Sequence, residues 1–88
     1  MLDTNNQFIE EKITQIVREV LETNDEINKQ LELSELGMDS LASINLIVEL
    51  EDAFDIVFND NELLFENFST IENIIKQIEK LQKNKINN

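Results

Sequence analysis

From Ser40 onward the chain reads SLASINLIVELEDAF, a run with no glycine or proline in which apolar residues recur at helical spacing. At about 100° per residue, Leu46, Ile47, Leu50, Ala53 and Phe54 fall on one arc, and Leu41, Ile44 and Val48 on a second that shares a side with Ser40. The pattern predicts a helix from Ser40 to about Asp55 with two apolar faces, of which only one can be core. Just before it stands Gly37, the only glycine of the chain and so the position where a positive φ costs least.

The same periodicity predicts three further elements. Ile9, Ile13, Ile16, Val17, Val20 and Leu21 recur at spacings of three and four, which makes Gln7 to about Thr23 a first amphipathic helix, with Asn5 or Asn6 available as its N-cap. Asp25 to Met38 has no clean period but keeps Ile27, Leu31, Leu33, Leu36 and Met38, and reads as a long ordered loop with room for one helical turn, whose leucines seal one end of the core. Ile56, Val57 and Phe58 form a short β-branched run with nothing to pair with, so Asp55 to Asn61 is expected to be a turn with inward side chains. Asn61 to Asn67 suits a short third helix. Ser69 and Glu72 match a capping box that would start a fourth, with Ile71, Ile74, Ile75, Ile78 and Leu81 as its buried stripe. The expected fold is all-α: a small four-helix bundle, three main helices plus a short third, with a long loop between helices 1 and 2. All 88 residues would form one domain, with a core of about 7–83 and frayed ends at residues 1–6 and 84–88.

Charge changes this picture more than composition does. Nineteen acidic against seven basic residues give a formal charge of −12, and between Gln30 and Ile75 there are eleven acids and no Lys or Arg. Such a surface repels nucleic acid and anionic lipid and speeds encounter with basic partners. Lys76, Lys80, Lys83 and Lys85 gather toward the end of the last helix, where cations oppose its dipole, a structural role. The N-terminus has neither a basic nor an apolar signal region, and no apolar run approaches a membrane span, so a cytoplasmic protein without membrane insertion is expected.

The chemistry available is narrow. With no His and no Cys, the chain lacks a base for Ser34, Ser40, Ser43 or Ser69, a thiol nucleophile and thiolate metal ligands. Asp55 to Glu66 lacks the central glycine of a calcium loop. Neither catalysis nor a dedicated metal site is expected. Ser40, at the mouth of the apolar helix, can be read as an N-cap or as a site of covalent attachment, since a helix N-terminus favours a phosphate.

Gly37-Met38-Asp39-Ser40-Leu41, followed by an Ile- and Leu-rich helix ending LEDAFDI, resembles the attachment region of acyl carrier proteins and related peptidyl carrier proteins. The resemblance extends over nearly the whole chain, through helix order, length and acidic bias. It implies a 4′-phosphopantetheine arm on the Ser40 hydroxyl, carrying an acyl or aminoacyl group as a thioester. It also implies three kinds of partner: a phosphopantetheinyl transferase, an acyl- or aminoacyl-loading enzyme, and a downstream synthase or transferase. These would be met by a monomer through Asp39, Leu41, Ile44, Asn45, Val48 and Asp52. Fatty-acid-type carriers usually have acids just inside this helix, where the present chain has Ala42, Ser43 and Asn45; its acids come later, at Glu49, Glu51, Asp52 and Asp55. That departure points to a stand-alone carrier of a specialised pathway, polyketide, nonribosomal peptide or related. The alternatives are a peptidyl or aminoacyl carrier of a nonribosomal peptide-type system, and a non-covalent acidic helical adaptor in which Ser40 is only a cap and Leu41, Ile44 and Val48 dock a partner.

Overall fold

The computed structural model describes the backbone of residues 2–87 and the side chains of residues 7–83. Three α-helices, α1 (Leu2–Leu21), α2 (Ser40–Phe54) and α3 (Ile71–Asn87), are joined by two long connections, and no strand occurs among the described residues. Helix α1 packs against both α2 and α3. It contributes Ile9, Ile13, Ile16 and Val17 to the core, α2 contributes Leu46 and Leu50, and α3 contributes Ile71, Ile74, Ile75 and Ile78. Leu46 and Leu50 are fully buried, each worth about 1.5–3 kcal/mol of burial. Ala53, expected on that arc, is exposed, and Ile47 and Phe54 are half-buried, because α2 meets α1 over a narrower stripe than its apolar residues span.

The ends of the elements differ from expectation in instructive ways. Helix α1 begins at Leu2, so Asn5 and Asn6 are helical and not caps, and the helical backbone also covers 84–87 at the other end; Met1 and Asn88 lie outside the described residues. It stops at Leu21 because Glu22 turns left-handed (φ 55°), which lets Thr23 N–H donate to Arg18 O at 3.1 Å and Glu22 N–H to Glu19 O at 3.3 Å. Asp55 ends α2 in the same conformation (φ 54°), with Ile56 N–H donating to Glu51 O at 3.2 Å. Helix α3 starts at Ile71, one residue late, because Thr70 and not Ser69 is its cap: Thr70 Oγ1 accepts from Asn73 N–H at 3.1 Å. The Ser69 hydroxyl donates instead to Glu66 O, and Glu72 N–H donates to Lys29 O.

Between α2 and α3 the expected short third helix is two separate 3₁₀ turns, Asp60–Glu62 and Phe65–Phe68. Exposed Leu63 and Leu64 interrupt them, and no single apolar face exists to bury as a continuous helix. Ile56 and Phe58 point inward as expected, whereas Val57 is exposed. Phe58 meets Phe68 edge to face, centroids 5.1 Å apart, which ties the two ends of the connection together. Glu62, buried and charged, is held at three points. Its Oε1 accepts from Asn59 N–H at 2.8 Å, its Oε2 lies 3.5 Å from Lys80 Nζ, and its backbone oxygen accepts from the Asn67 amide.

These helix ends and charges have measurable consequences. Glu22 occupies a backbone region that disfavours every residue with a Cβ, so Glu22→Gly should raise stability by about 0.5–1 kcal/mol, several degrees in melting temperature, while Glu22→Ala should give no such gain. The uncompensated acids between Gln30 and Ile75 repel one another. Thermal denaturation should therefore show a higher melting temperature in about 0.5 M than in roughly 0.02 M sodium chloride, where the Debye length exceeds the spacing of neighbouring charges. A melting temperature independent of salt would mean that the repulsion is negligible.

Candidate functional site

The loop that delivers Ser40 is tightly held. Leu33, fully buried, opens a 3₁₀ turn (Leu33–Leu36) that closes on Gly37, whose φ of 96° lets Gly37 N–H reach Ser34 O and Met38 N–H reach Leu33 O, each at 3.2 Å. A Cβ added at Gly37 would meet nothing within 4 Å, so the backbone angle, not crowding, calls for glycine here. Leu33 and Met38 are core residues, with Leu36 packed against them, so the loop does seal one end of the bundle. It does not cover α2's second arc.

Asp39, not Ser40, caps α2. Asp39 is extended (φ −107°, ψ −172°), and its Oδ1 accepts from Ala42 N–H at 2.9 Å while its backbone oxygen takes Ser43 N–H. The cap reading of Ser40 is thereby overturned: Ser40 is the first helical residue, is exposed, and its hydroxyl has no hydrogen-bond partner among the described residues. Its oxygen is free for chemistry in a way that a capping oxygen is not.

Leu41, Ile44 and Val48 lie beyond Ser40 on the same side of α2, exposed at 69%, 58% and 57%. Asn45 and Asp52 are exposed alongside them. Glu51, one of the later acids of α2, is engaged elsewhere, since its Oε2 accepts from Phe58 N–H at 2.9 Å and holds the start of the α2–α3 connection. The site thus joins a free serine oxygen, a carboxylate-capped helix start and an apolar stripe. Among the described residues no group of His, Cys, Asp and Glu is placed to hold a metal, and no helix is long and apolar enough to cross a membrane.

Reading α2 alone missed the neighbouring end of α1. A hollow of about 320 Å³ between the two helices is lined by Glu19, Val20 and Glu22 with Asn45, Val48 and Glu49. A second of about 270 Å³ runs on to Gly37, Asp39 and Leu41. In the sequence Glu19 and Glu22 are ordinary outer-face residues of an amphipathic helix; only the α1–α2 contact brings them beside Asn45 of α2.

With this geometry in view, comparison with known proteins is direct. Residues 11–78 match the family model described as the phosphopantetheine attachment site. The chain is 38% identical over 74 residues to an acyl carrier protein of Buchnera aphidicola subsp. Acyrthosiphon pisum, covering 82% of this chain and 90% of that one. It is 32% identical over 74 residues to a D-alanyl carrier protein of Listeria monocytogenes, covering 82% and 95%. A solved structure of BlmI, a type-II acyl carrier protein from Streptomyces verticillus involved in bleomycin biosynthesis, has the same fold, with a TM-score of 0.75 at 19% identity over 89% of this chain and 90% of that one. The chain belongs to the phosphopantetheine attachment family of acyl carrier proteins. It is a carrier protein, and the prosthetic group of its family is 4′-phosphopantetheine.

The two arcs of α2 separate cleanly in a pair of variants. Val48→Asp places a carboxylate at an exposed position and should leave the melting temperature within a few degrees of the parent, a change of about 0.5 kcal/mol or less. Leu50→Asp buries an unpaired charge in the core, at a penalty of several kcal/mol, and circular dichroism should show it unfolded.

Proposed function

We propose that Ser40 is the attachment residue, its hydroxyl oxygen esterified to the phosphate of 4′-phosphopantetheine, and that the protein shuttles an acyl or aminoacyl group between enzymes of a specialised biosynthetic pathway. The observation that carries this reading is the division of labour at the start of α2: Asp39 satisfies the helix end, so the exposed Ser40 oxygen has no structural duty. The residues present fit the group. Gly37 supplies the left-handed turn that leads into α2, and the free N–H groups and positive dipole end of α2 favour a phosphodiester beside them. When attached, the group supplies a thiol on which cargo is held as a thioester. Asp39 fixes where the helix begins and thus where the oxygen points; Leu41, Ile44 and Val48 offer an apolar surface next to it for an enzyme acting on the arm. Asp39, Asn45 and Asp52 edge that surface and complete the partner face.

The specialised pathway is supported by the first turn of α2, which holds no acidic residue. An aminoacyl cargo is the second reading, favoured by a specific likeness: the D-alanyl carrier proteins of Listeria align with this chain over 95% of their own length. The natural partners are a phosphopantetheinyl transferase, a loading enzyme and a downstream synthase or transferase.

Intact-protein mass spectrometry tests the assignment. After incubation with coenzyme A and a broad-specificity phosphopantetheinyl transferase, the parent should gain the mass of one phosphopantetheine group and Ser40→Ala should gain none. A folded parent that gains no mass, or a Ser40→Ala variant that gains it, overturns the proposal.

A further inference from the structure

The turn at residues 65–69, which leads into α3, is tied to the loop that delivers Ser40 through bonds that α3 does not need for itself. Thr70 supplies both cap bonds of α3, its Oγ1 accepting from Asn73 N–H and its carbonyl oxygen from Ile74 N–H, each at 3.1 Å. The Asn73 side chain is therefore not required at the helix start, yet it reaches back and uses its amide nitrogen twice, donating to Glu66 O at 3.0 Å and to Ser69 Oγ at 3.2 Å. The Ser69 hydroxyl in turn donates to the same Glu66 oxygen at 3.0 Å. Asn73 thus holds both residues that flank the Ser69–Thr70 peptide, Ser69 by its side chain and Thr70 by its backbone N–H. The carbonyl of that peptide accepts Leu33 N–H at 2.8 Å, and Leu33 O accepts Met38 N–H at 3.2 Å, immediately before the Asp39 cap.

We propose that Asn73 is a positioning residue for modification of Ser40: it fixes the Ser69 carbonyl, which fixes Leu33, whose own carbonyl fixes Met38 and so the place where Asp39 starts α2. The role rests on the carrier reading of Ser40 and is played from α3, not from the helix that bears the serine. Leu33 can transmit position because its side chain is fully buried and both its backbone groups are engaged, the N–H toward α3 and the C=O toward Met38. Met38 is buried as well, so the chain between Leu33 and Asp39 is a single turn with both ends anchored. Without the Asn73 amide the Ser69 carbonyl gains freedom, Leu33 N–H loses a fixed acceptor, and the serine oxygen samples a wider range of positions. A transferase that must hold its reactants at bonding distance is sensitive to such a spread, since a misplacement of about 1 Å caused far from the chemistry lowers a rate by up to about a hundredfold. Docking is not sensitive to it. Leu41, Ile44 and Val48 stay exposed on a helix anchored by Leu46 and Leu50, which Asn73 does not hold, so the effect falls on kcat and not on KM.

The test compares Asn73→Ala with Asn67→Ala, which removes a similar amide-to-carbonyl bond, Asn67 Nδ2 to Glu62 O at 2.9 Å, from the same connection without touching Ser69. With coenzyme A and a broad-specificity transferase, Asn73→Ala should lose about fivefold or more in kcat for modification of Ser40 with KM within about twofold of the parent, while Asn67→Ala keeps both within about twofold. Native-state hydrogen exchange reads the same bonds without a transferase. Relative to the amides of Ile13 and Val17, fully buried residues that report any change in global stability, the Leu33 and Met38 amides should exchange about tenfold faster in Asn73→Ala and no faster in Asn67→Ala. Melting curves establish that both variants are folded; should Asn73→Ala not fold, Ser69→Ala, which removes the hydroxyl that Asn73 holds, replaces it, with a loss of about threefold in kcat and faster exchange at the same two amides expected. A parent-like kcat in the Asn73 variant, a loss carried by KM, or exchange ratios no higher than in Asn67→Ala overturn the proposal. A parent that is never modified overturns the carrier reading instead, on which the exchange ratios do not depend.

Discussion

Two backbone hydrogen bonds hold the long α1–α2 loop against the start of α3: Leu33 N–H to Ser69 O at 2.8 Å and Glu72 N–H to Lys29 O at 2.9 Å. Each contributes only about 1 kcal/mol net, yet they fix the loop where Leu33 inserts its fully buried side chain among the three helices. A connection this long would otherwise sample many paths between its ends. Pinned at Leu33, it has only the short turn through Gly37 left to make before Asp39 starts α2, and Ser40 emerges at one defined place. The serine's position is thus set by the core and by the start of α3.

The acids divide into those that hold structure and those that have no structural bond. Asp39 stops the start of α2 from unravelling, Glu51 captures Phe58 N–H, and Glu62 ties the α2–α3 connection to itself and to Lys80. Each offsets its desolvation with a hydrogen bond to a backbone N–H. Most of the other acids, Glu19, Glu22 and Glu49 among them, have no such bond. The few structural acids thus have bonded donors, whereas most of the remaining carboxylates stand solvated, and the repulsion among them is spread over the surface.

Much of this was legible in the sequence because it rests on periodicity. The two arcs of α2 were separable since a helix keeps a fixed angle per residue, and Leu46 and Leu50 are indeed buried where Leu41, Ile44 and Val48 are exposed. The caps were not legible to the residue. Asp39 and Ser40 are both good cap formers, as are Ser69 and Thr70, and which one serves depends on where the chain is pinned, a tertiary matter. The left-handed ends at Glu22 and Asp55 were hidden for a similar reason: neither is a glycine, and only a helix that must turn there makes the strain worth bearing. The split third helix reflects competition among Leu63, Leu64 and Phe65, all exposed, for a core already closed by Phe58 and Phe68. The hollows between α1 and α2 required knowing which helices touch.

That same connection leaves Val57, Leu63, Leu64 and Phe65 open to water, a considerable apolar area for so small a protein. At neutral pH the formal charge of −12 keeps one molecule from approaching another closely enough for those side chains to meet. The sequence isoelectric point is about 4.1, and near it the mutual repulsion vanishes while the apolar area stays as it is. Colloidal behaviour is therefore set by the acids far more than by the core: the molecule remains dispersed only where its carboxylates are ionised, and part of its exposed apolar surface belongs to a connection well away in sequence from the serine.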